Sequence, residues 1–304
     1  MISSLNDQLT VRLLEITAPA FDLAFTGMCW LGMGSEGRSE QTIATDQDNG
    51  LIFSARDPAL TEDASRARLL PFARAVNEAL DWCGYPLCNG NVMAMNPQWC
   101  LSLPSWRGTF MRWIDRGDPE SLLAASIFFD FRGLWGNDDL ALQLRAEIAR
   151  RAASNPRFLK QMTVNALRNE PPLSWRGEVA AREAIGGAEG IDLKRAASMQ
   201  LTDGARIYAL AGGVTATNTV ERLRLAGPKR GIPEEDIHGF VDAFEFLQLL
   251  RLRTQHRRAA GEIAPSANPN FLPLQTLSKL DLRILKEALR QVRKLQQRLA
   301  MDYP

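Results

Sequence analysis

Two acidic side chains near the start of the chain have the spacing of metal ligands. Asp46 and Asp48 stand two residues apart in "TDQDNG", directly before the apolar run "NGLIFSA" (49–55). This run is typical of a β-strand, and alternate residues at the entrance of an extended strand face the same side. Two carboxylates on one side repel each other unless a cation lies between them, and such oxygen ligands suit Mg²⁺. The pair therefore predicts a divalent-metal site, against the alternative of a solvated polar turn.

A glycine-serine turn precedes the acidic pair and is suited to phosphate. The apolar run "MCWLGMG" (28–34) ends in glycines and predicts a first strand. Gly34 is the last residue of this run, Ser35 follows it, and Ser35 stands eleven residues before Asp46. Small residues let backbone N–H groups approach a triphosphate, and the side chains of Ser35 and Arg38 add further donors. The turn and the acidic pair together predict a metal–triphosphate site.

The same stretch also fits the dinucleotide-binding fingerprint. Gly32, Gly34 and Gly37 spell G-x-G-x-x-G. In that fold the glycines open a helix that crosses over to a parallel strand, and the crossover takes at least about 10–12 residues. Only "RSEQTIATDQD" stands before the second strand, and it has no apolar helical stripe. The short crossover therefore disfavours a dinucleotide-dependent oxidoreductase. This interpretation stays open because Asp57 stands near the position at which that fold has its ribose ligand.

Asp130 is an acidic residue within an aromatic run. It stands among phenylalanines in "SIFFDFRGLWG" (126–136), a run of β-formers that closes with glycine and predicts a third strand. An acidic residue in such a run lies either at a solvent-facing edge or in a site. Strict alternation cannot place both Phe128 and Phe131 opposite Asp130, so the pattern does not decide between the two.

The stretch "GSEGRSEQTIATDQDNGLIF" (34–53) resembles the G-S…D-x-D signature of the DNA polymerase β-type nucleotidyltransferase superfamily. It is more similar to the PII uridylyltransferase and glutamine-synthetase adenylyltransferase branch. It is more similar still to a bacterial family of predicted nucleotidyltransferases, in which a helical substrate-binding domain follows the catalytic domain. CBS or cyclic-nucleotide-binding modules often lie upstream in these relatives. "PLCNGNVMAMNPQW" (86–99) and "TNTVERL" (217–223) also resemble this family, so the likeness extends over most of the chain.

The resemblance implies an activity and the residues that perform it. A nucleoside monophosphate would move from an NTP, such as ATP or UTP, to an acceptor hydroxyl, with release of pyrophosphate. The acceptor would be a small molecule or a protein side chain, such as the tyrosine of a PII-type signalling protein. Asp46, Asp48 and Asp130 would hold two Mg²⁺ ions, or Mn²⁺, about 3.5–4 Å apart. Asp130 is the candidate general base, while Gly34 and Ser35 would bind the β- and γ-phosphates.

A nucleotide-binding regulatory module without catalysis is the alternative function. The D-x-D pair argues against it, but intact ligands do not prove turnover. Arg38 and Glu40 match the R-x-E of the related families. Arg38 would contact phosphate while Glu40 orients the loop, or the two would form an ordinary surface ion pair.

Composition limits the partners that the chain can have. The 36 Lys and Arg residues nearly balance the 35 Asp and Glu residues, for a net charge of +1, so no general attraction to nucleic acid or membranes is expected. The four cysteines form no C-x-x-C pair, which disfavours a zinc site and fits a reducing compartment. No apolar run approaches the ~18 residues of a membrane span. We therefore expect a cytoplasmic protein.

The pattern of apolar residues changes at about residue 137. Strand and helix patterns mix before this point, and helical patterns dominate after it, as in 233–258 and 276–300. We therefore predict an α+β protein. A small mixed-sheet nucleotidyltransferase domain would occupy residues 1–140, and an all-α helical bundle domain for substrate binding would occupy residues 141–304.

Overall fold

The protein divides into two compact units, which are described separately. The first unit comprises residues 1–41 and 45–152, and the second comprises residues 42–44 and 153–304. The computed structural model describes these stretches of the chain: residues 1–55, 59–117, 127–185 and 187–304. Asp57, the candidate ribose ligand of the dinucleotide interpretation, lies outside them.

A four-stranded mixed sheet forms the centre of the first unit. Its order is β3-β2-β1-β4. The central strand β1 (Thr26–Gly32) pairs antiparallel with β2 (Asn49–Ala55) on one side and with β4 (Arg132–Gly136) on the other. The short strand β3 (Cys100–Ser102) pairs parallel with β2. The sheet confirms the predicted mixed topology, and it sets the carboxyl end of β1 beside the start of β2.

Five helices surround or adjoin this sheet in the described part of the first unit: α1 (Ile2–Thr17), α2 (Gly34–Gly37), α3 (Glu62–Trp82), α4 (Leu103–Arg116) and α5 (Asp138–Ala153). The Thr61 hydroxyl caps α3 by accepting a hydrogen bond from the Ala64 N–H at 3.2 Å. Gly117, with φ of +59°, ends α4 in the left-handed conformation that glycine adopts without strain.

An apolar core fixes the sheet against α1 and α3. Every residue of β1 is buried, and Trp30 and Phe53 lie in one cluster with Leu14 of α1 and Phe72 of α3. The Trp30 and Phe72 rings meet edge to face, with centroids 6.5 Å apart. Burial on this scale stabilises the unit by about 1.5–3 kcal/mol for each large apolar side chain. The loops that leave β1 and enter β2 therefore start from a rigid base.

The second unit is mainly helical, as predicted. Its five longer helices are α6 (Pro156–Ala166), α7 (Met199–Ala211), α8 (Thr219–Ala226), α9 (Glu234–Ala259) and α10 (Lys279–Asp302). The buried stripe of α10 includes Leu285, Leu289 and Leu295, which are fully buried. This stripe has the period of an amphipathic helix, which explains why the sequence predicted it correctly.

The second unit also contains a small sheet, which the prediction of an all-α domain did not include. Its three antiparallel strands have the order β5-β6-β7: β5 (Glu183–Ile185), β6 (Ala188–Asp192) and β7 (Phe271–Pro273). Strands of three to five residues are too short for alternation to be visible in the sequence. Gly190 lets β7 approach closely, because a Cβ atom there would lie 2.2 Å from the Leu272 carbonyl oxygen.

The strand predicted over 126–136 is shorter than expected. The strand begins at Arg132. Asp130 lies before it in a turn, where the Asp130 N–H donates to the Ile127 carbonyl at 3.3 Å. Residues 118–126 lie outside the described stretches. The predicted division after residue 140 falls inside α5, whereas the two units separate after Ala152.

Candidate active site

The turn after β1 is held against the segment that enters β2. Met33 is extended, and its N–H donates to the Asp48 carbonyl at 2.8 Å. Gly34 follows with φ of +55°, and a Cβ atom there would lie 3.0 Å from Asp48 Oδ2. Glycine is favoured at this position both by the left-handed backbone and by the close approach of the carboxylate. The predicted turn and the predicted acidic pair are therefore neighbours in space.

Asp46 and Asp48 point to the same side of the chain. A carboxylate oxygen of each and the sulfur of Cys88 all lie within 4.8 Å of one another. Asp46 is exposed, whereas Asp48 and Cys88 are half-buried, so the group opens to solvent. The thiol of Cys88 donates to Asp48 Oδ1 at 3.3 Å. The structure thus brings together two of the predicted metal ligands and adds a cysteine.

Buried amide side chains hold the acidic segment from the opposite side. Gln47 and Asn49 alternate with the aspartates and are almost fully buried. Asn77 of α3 is completely buried, and its Nδ2 donates to Gln47 Oε1 at 2.7 Å and to Asn49 Oδ1 at 3.0 Å. Because these buried amides fix every second residue, the side chains of Asp46 and Asp48 are left on the outer side.

The loop that carries Cys88 is tied to the same segment. The Gln47 N–H donates to the Pro86 carbonyl at 3.1 Å, and Gln47 Nε2 donates to the Tyr85 carbonyl at 2.8 Å. The loop is closed by the Asn91 N–H, which donates to the Cys88 carbonyl at 2.9 Å. The position of the thiol beside Asp48 is therefore supported by two hydrogen bonds from Gln47 to the residues before Cys88 and by the closed turn after it.

Asp130 lies in a different electrostatic environment. Its side chain is fully buried, and Arg38 Nη1 donates to its Oδ2 at 2.6 Å. Arg38 Nε also donates to Glu40 Oε2 at 2.7 Å, so one guanidinium joins two carboxylates. Gly37 lies directly on this turn, because a Cβ atom there would lie 1.9 Å from the Asp130 carbonyl oxygen. Asp130 does not belong to the group that Asp46 and Asp48 form with Cys88 among the described residues.

Glu36 is a buried acid beneath the turn. Burial, followed by the charge of Asp7, raises the pKa of Glu36 to about 8, although Arg132 opposes the shift. Arg132 itself is held by Asp7, with both carboxylate oxygens within 2.8 Å of Nη2, and its Nε donates to the Glu36 carbonyl at 3.1 Å. Glu36 is therefore largely protonated at neutral pH and adds little negative charge to the site.

The donor set at Asp46 and Asp48 fits a divalent cation. Two oxygen ligands of one Mg²⁺ lie at most about 4.2 Å apart, because the metal–oxygen distance is about 2.1 Å. The observed grouping within 4.8 Å needs only a small adjustment to reach this geometry. Without a cation the thiol is protonated, since burial and the nearby Asp48 charge raise the pKa of Cys88 to about 11.

Sequence reasoning did not identify Cys88 or the three buried amides as parts of this site. The cysteines formed no metal-binding spacing, and the thiol meets Asp48 across 40 residues of chain. The quoted run "PLCNGNVMAMNPQW" resembled the related family, and this was the only signal that the loop was important. Gly34 and Asp48, which the sequence assigned to one site, lie beside each other in the structure because they flank adjacent strands.

Fold and site together define a nucleotidyltransferase-type protein: a small mixed sheet whose first two strands carry a glycine-serine turn and a convergent D-x-D pair. Residues 1–120 match the family model described as "Putative nucleotidyltransferase DUF294". Residues 156–303 match the model described as "Putative nucleotidyltransferase substrate binding domain". Since the two matches cover most of the chain, the protein belongs to this nucleotidyltransferase family.

Two other observations complete the comparison. No curated protein matches the chain. Within the described residues, no helix combines the length and the apolar character that a membrane crossing would require.

Proposed function

We propose that the protein is an Mg²⁺-dependent nucleotidyltransferase that moves a nucleoside monophosphate from ATP or UTP to an acceptor hydroxyl and releases pyrophosphate. The convergence of Asp46 and Asp48 beside the Gly34 turn carries this proposal. Neighbouring carboxylates beside a glycine-serine turn are suited to binding a metal–triphosphate complex. The family match supports the general reaction.

Each residue of the turn and the acidic pair has a role in the proposal. Asp46 and Asp48 bind the cation through their outward carboxylates, while Gly34 and Ser35 bind the β- and γ-phosphates. A divalent cation held there supplies positive charge to the triphosphate and lowers the pKa of the attacking hydroxyl. The buried Gln47 keeps both carboxylates on the outer side, so that little reorganisation is needed when the nucleotide binds.

Asp130 is proposed as the third carboxylate and general base, as the family resemblance implies. In the structure, Arg38 neutralises Asp130 and also holds Glu40. We therefore assign Arg38 a positioning role toward these carboxylates in addition to the phosphate contact that the sequence predicts.

The second unit is proposed to bind the acceptor. The model that this unit matches is described as a substrate binding domain. By resemblance to PII uridylyltransferase, a tyrosine of a signalling protein is one acceptor class, and a small-molecule hydroxyl is the other. Neither the sheet nor the acidic pair distinguishes ATP from UTP, so the nucleotide is identified by experiment.

Transfer of labelled nucleotide tests the proposal. The purified protein is incubated with each α-³²P-labelled NTP, Mg²⁺ and a cell extract, and label on protein and small-molecule fractions is measured together with pyrophosphate. We expect label transfer that requires Mg²⁺ and falls by at least about 100-fold in Asp46→Asn and Asp48→Asn, because each variant removes a metal ligand.

Asp63→Asn is the matched control. Asp63 lies on α3 of the same unit, its side chain is 89% exposed, and it does not belong to the donor group of Asp46, Asp48 and Cys88. This variant is expected to keep full activity. Nucleotide binding without any label transfer or pyrophosphate release would contradict the proposal and favour the regulatory-module alternative.

A further inference from the structure

A sulfur atom at the acidic pair distinguishes this site from one made of oxygen ligands alone. The Cys88 sulfur lies 3.3 Å from Asp48 Oδ1 and within 4.8 Å of a carboxylate oxygen of Asp46. Within the described stretches, no other set of three histidine, cysteine or acidic side chains comes together in this way. The sulfur therefore lies where a cation held by both aspartates would meet it.

The fold builds this position rather than leaving it to a mobile side chain. The Pro86 and Tyr85 carbonyls both accept hydrogen bonds from Gln47, the residue between the two aspartates. The loop that carries Cys88 and the segment that carries the aspartates are consequently fixed to each other. Cys29 and Cys100 are completely buried, and Cys83 is exposed outside the group, so Cys88 is distinguished by its location.

We propose that Cys88 is a third protein ligand available to a cation at Asp46 and Asp48, and that it gives this position affinity for Zn²⁺ or a similarly thiophilic divalent ion in addition to the Mg²⁺ of the proposed function. Thiolate ligands favour zinc, whereas carboxylate and water ligands favour magnesium. As the metal–sulfur bond forms, the thiol proton passes to solvent, so two carboxylates and one thiolate surround the ion. The inference rests on the proposed function only in that Asp46 and Asp48 bind a divalent cation.

Cadmium is a suitable probe because a cadmium–thiolate bond gives a charge-transfer absorption band in the ultraviolet. The full-length protein is stripped of metal, reduced, and titrated with Cd²⁺ alone. We expect a band that saturates at one equivalent, disappears in Cys88→Ser and weakens in Asp48→Asn. Cys83→Ser is the matched control, and its band should equal that of the wild type.

Metal affinity supplies the second readout. Competition with a chromophoric chelator is expected to show that Cys88→Ser weakens Zn²⁺ binding by at least about tenfold, while Mg²⁺ binding changes by less than about twofold. Circular dichroism and the melting temperature of the metal-free protein establish that Cys88→Ser is folded. If the variant is not folded, iodoacetamide labelling of Cys88 in the wild type, with and without Zn²⁺, replaces it, and protection by Zn²⁺ is expected.

The outcomes separate this inference from the proposed function. Absence of the band in the wild type, or its persistence in Cys88→Ser, overturns the role of Cys88 even if nucleotide transfer is observed. Equal labelling of Cys88 with and without Zn²⁺ overturns it as well. A band that depends on Cys88, in a protein without transferase activity, supports the ligand and contradicts the proposed function.

Discussion

Three acidic residues around the turn differ in how the protein stabilises their charge. Asp46 is exposed to solvent. Asp130 is fully buried, and its charge is balanced by the guanidinium of Arg38. Glu36 is buried, and its pKa is raised to about 8, so it is largely neutral. A change at each of these residues should therefore affect a different measurable property.

Replacing Glu36 is expected to change how stability depends on pH. The folded-state pKa of about 8 lies above the unfolded value of about 4.3, so the folded protein holds the extra proton between these values. The contribution of Glu36 is thus fully present below about pH 4.3 and is lost as the pH rises through 8. This contribution to the free energy of unfolding falls by at most about 1.4 kcal/mol per pH unit, and Glu36→Gln should remove this pH dependence.

Urea unfolding at several pH values in the presence of EDTA measures this effect. The free energy of unfolding of Glu36→Gln minus that of the wild type should increase steadily from pH 5 to pH 8. If the two stability curves run parallel over this range, Glu36 ionises in the folded protein at an ordinary pKa.

The ion pair of Arg38 with Asp130 should contribute strongly to folding. The Arg38 and Asp130 side chains are 12% and 0% exposed, so removing the guanidinium leaves Asp130 buried without this counter-charge. Arg38→Met is therefore expected to lower the free energy of unfolding by about 3–5 kcal/mol. Equilibrium urea denaturation of the metal-free protein measures the difference.

Arg12→Met is the control for this substitution. Arg12 pairs with Glu15 on α1, but these side chains are 69% and 48% exposed, and such pairs contribute at most about 1 kcal/mol. A similar loss of stability in both variants would show that the burial of the Arg38 pair has no energetic consequence.

At the scale of whole elements, local patterns predicted the strands and helices that build the site. The sequence indicated strands at 28–34 and 49–55, and the structure has β1 at Thr26–Gly32 and β2 at Asn49–Ala55. Their apolar residues recur with a period that one short window reveals. The short helix α2 was not predicted, because four residues carry no such period.

Contacts between distant parts of the chain were the ones that the sequence could not show. Cys88 meets Asp48, and Asn77 fixes Gln47, across 40 and 30 residues respectively. Asp130 was expected in a strand because its neighbours are aromatic, but these aromatic side chains fill the core from the stretch just before β4. Phe128 and Phe131 are almost completely buried. Burial and strand structure favour the same residue types, so composition alone could not separate them.

A methyl group at Gly34 should affect the turn and the acidic pair together. Gly34→Ala places a side chain at φ of +55°, which costs about 1–2 kcal/mol, and it pushes against Asp48 Oδ2 at 3.0 Å. We expect this stability loss together with at least about tenfold weaker Mn²⁺ binding, because Asp48 has to move. Denaturation and electron paramagnetic resonance of free Mn²⁺ measure the two effects.

Gly231→Ala separates the backbone cost from the contact with Asp48. Gly231 has φ of +65° and no atom within 4 Å of a Cβ atom at that position. It should lose stability by a similar amount and bind Mn²⁺ as the wild type does. Unchanged Mn²⁺ affinity in Gly34→Ala would mean that the turn does not constrain Asp48.

For the whole molecule, a bound cation should stabilise the folded state. A ligand at 100 times its Kd adds about 2.7 kcal/mol if it binds only the folded protein. Mn²⁺ is therefore expected to raise the Tm of the wild type, and EDTA should reverse the shift. Calorimetry with and without Mn²⁺ measures it.

Asp46→Asn should show little of this metal-dependent shift, whereas Asp63→Asn should show all of it. Because Asp46 is exposed, its replacement should change the stability of the metal-free protein by no more than about 0.5 kcal/mol. An equal shift in both variants would place the stabilising cation elsewhere in the protein.

The division into units has a practical consequence for anyone who wishes to dissect the protein. Residues 42–44 group with the second unit although they lie between two parts of the first, and the Ala44 N–H donates to Gln255 Oε1 at 3.2 Å. A fragment that ends at Ala152 would keep this tripeptide but lose its hydrogen-bond acceptor. When the protein is truncated, or its halves are exchanged between relatives, residues 42–44 should therefore be treated as part of the second unit. In a fragment without that unit they should be replaced by residues suited to contact with solvent.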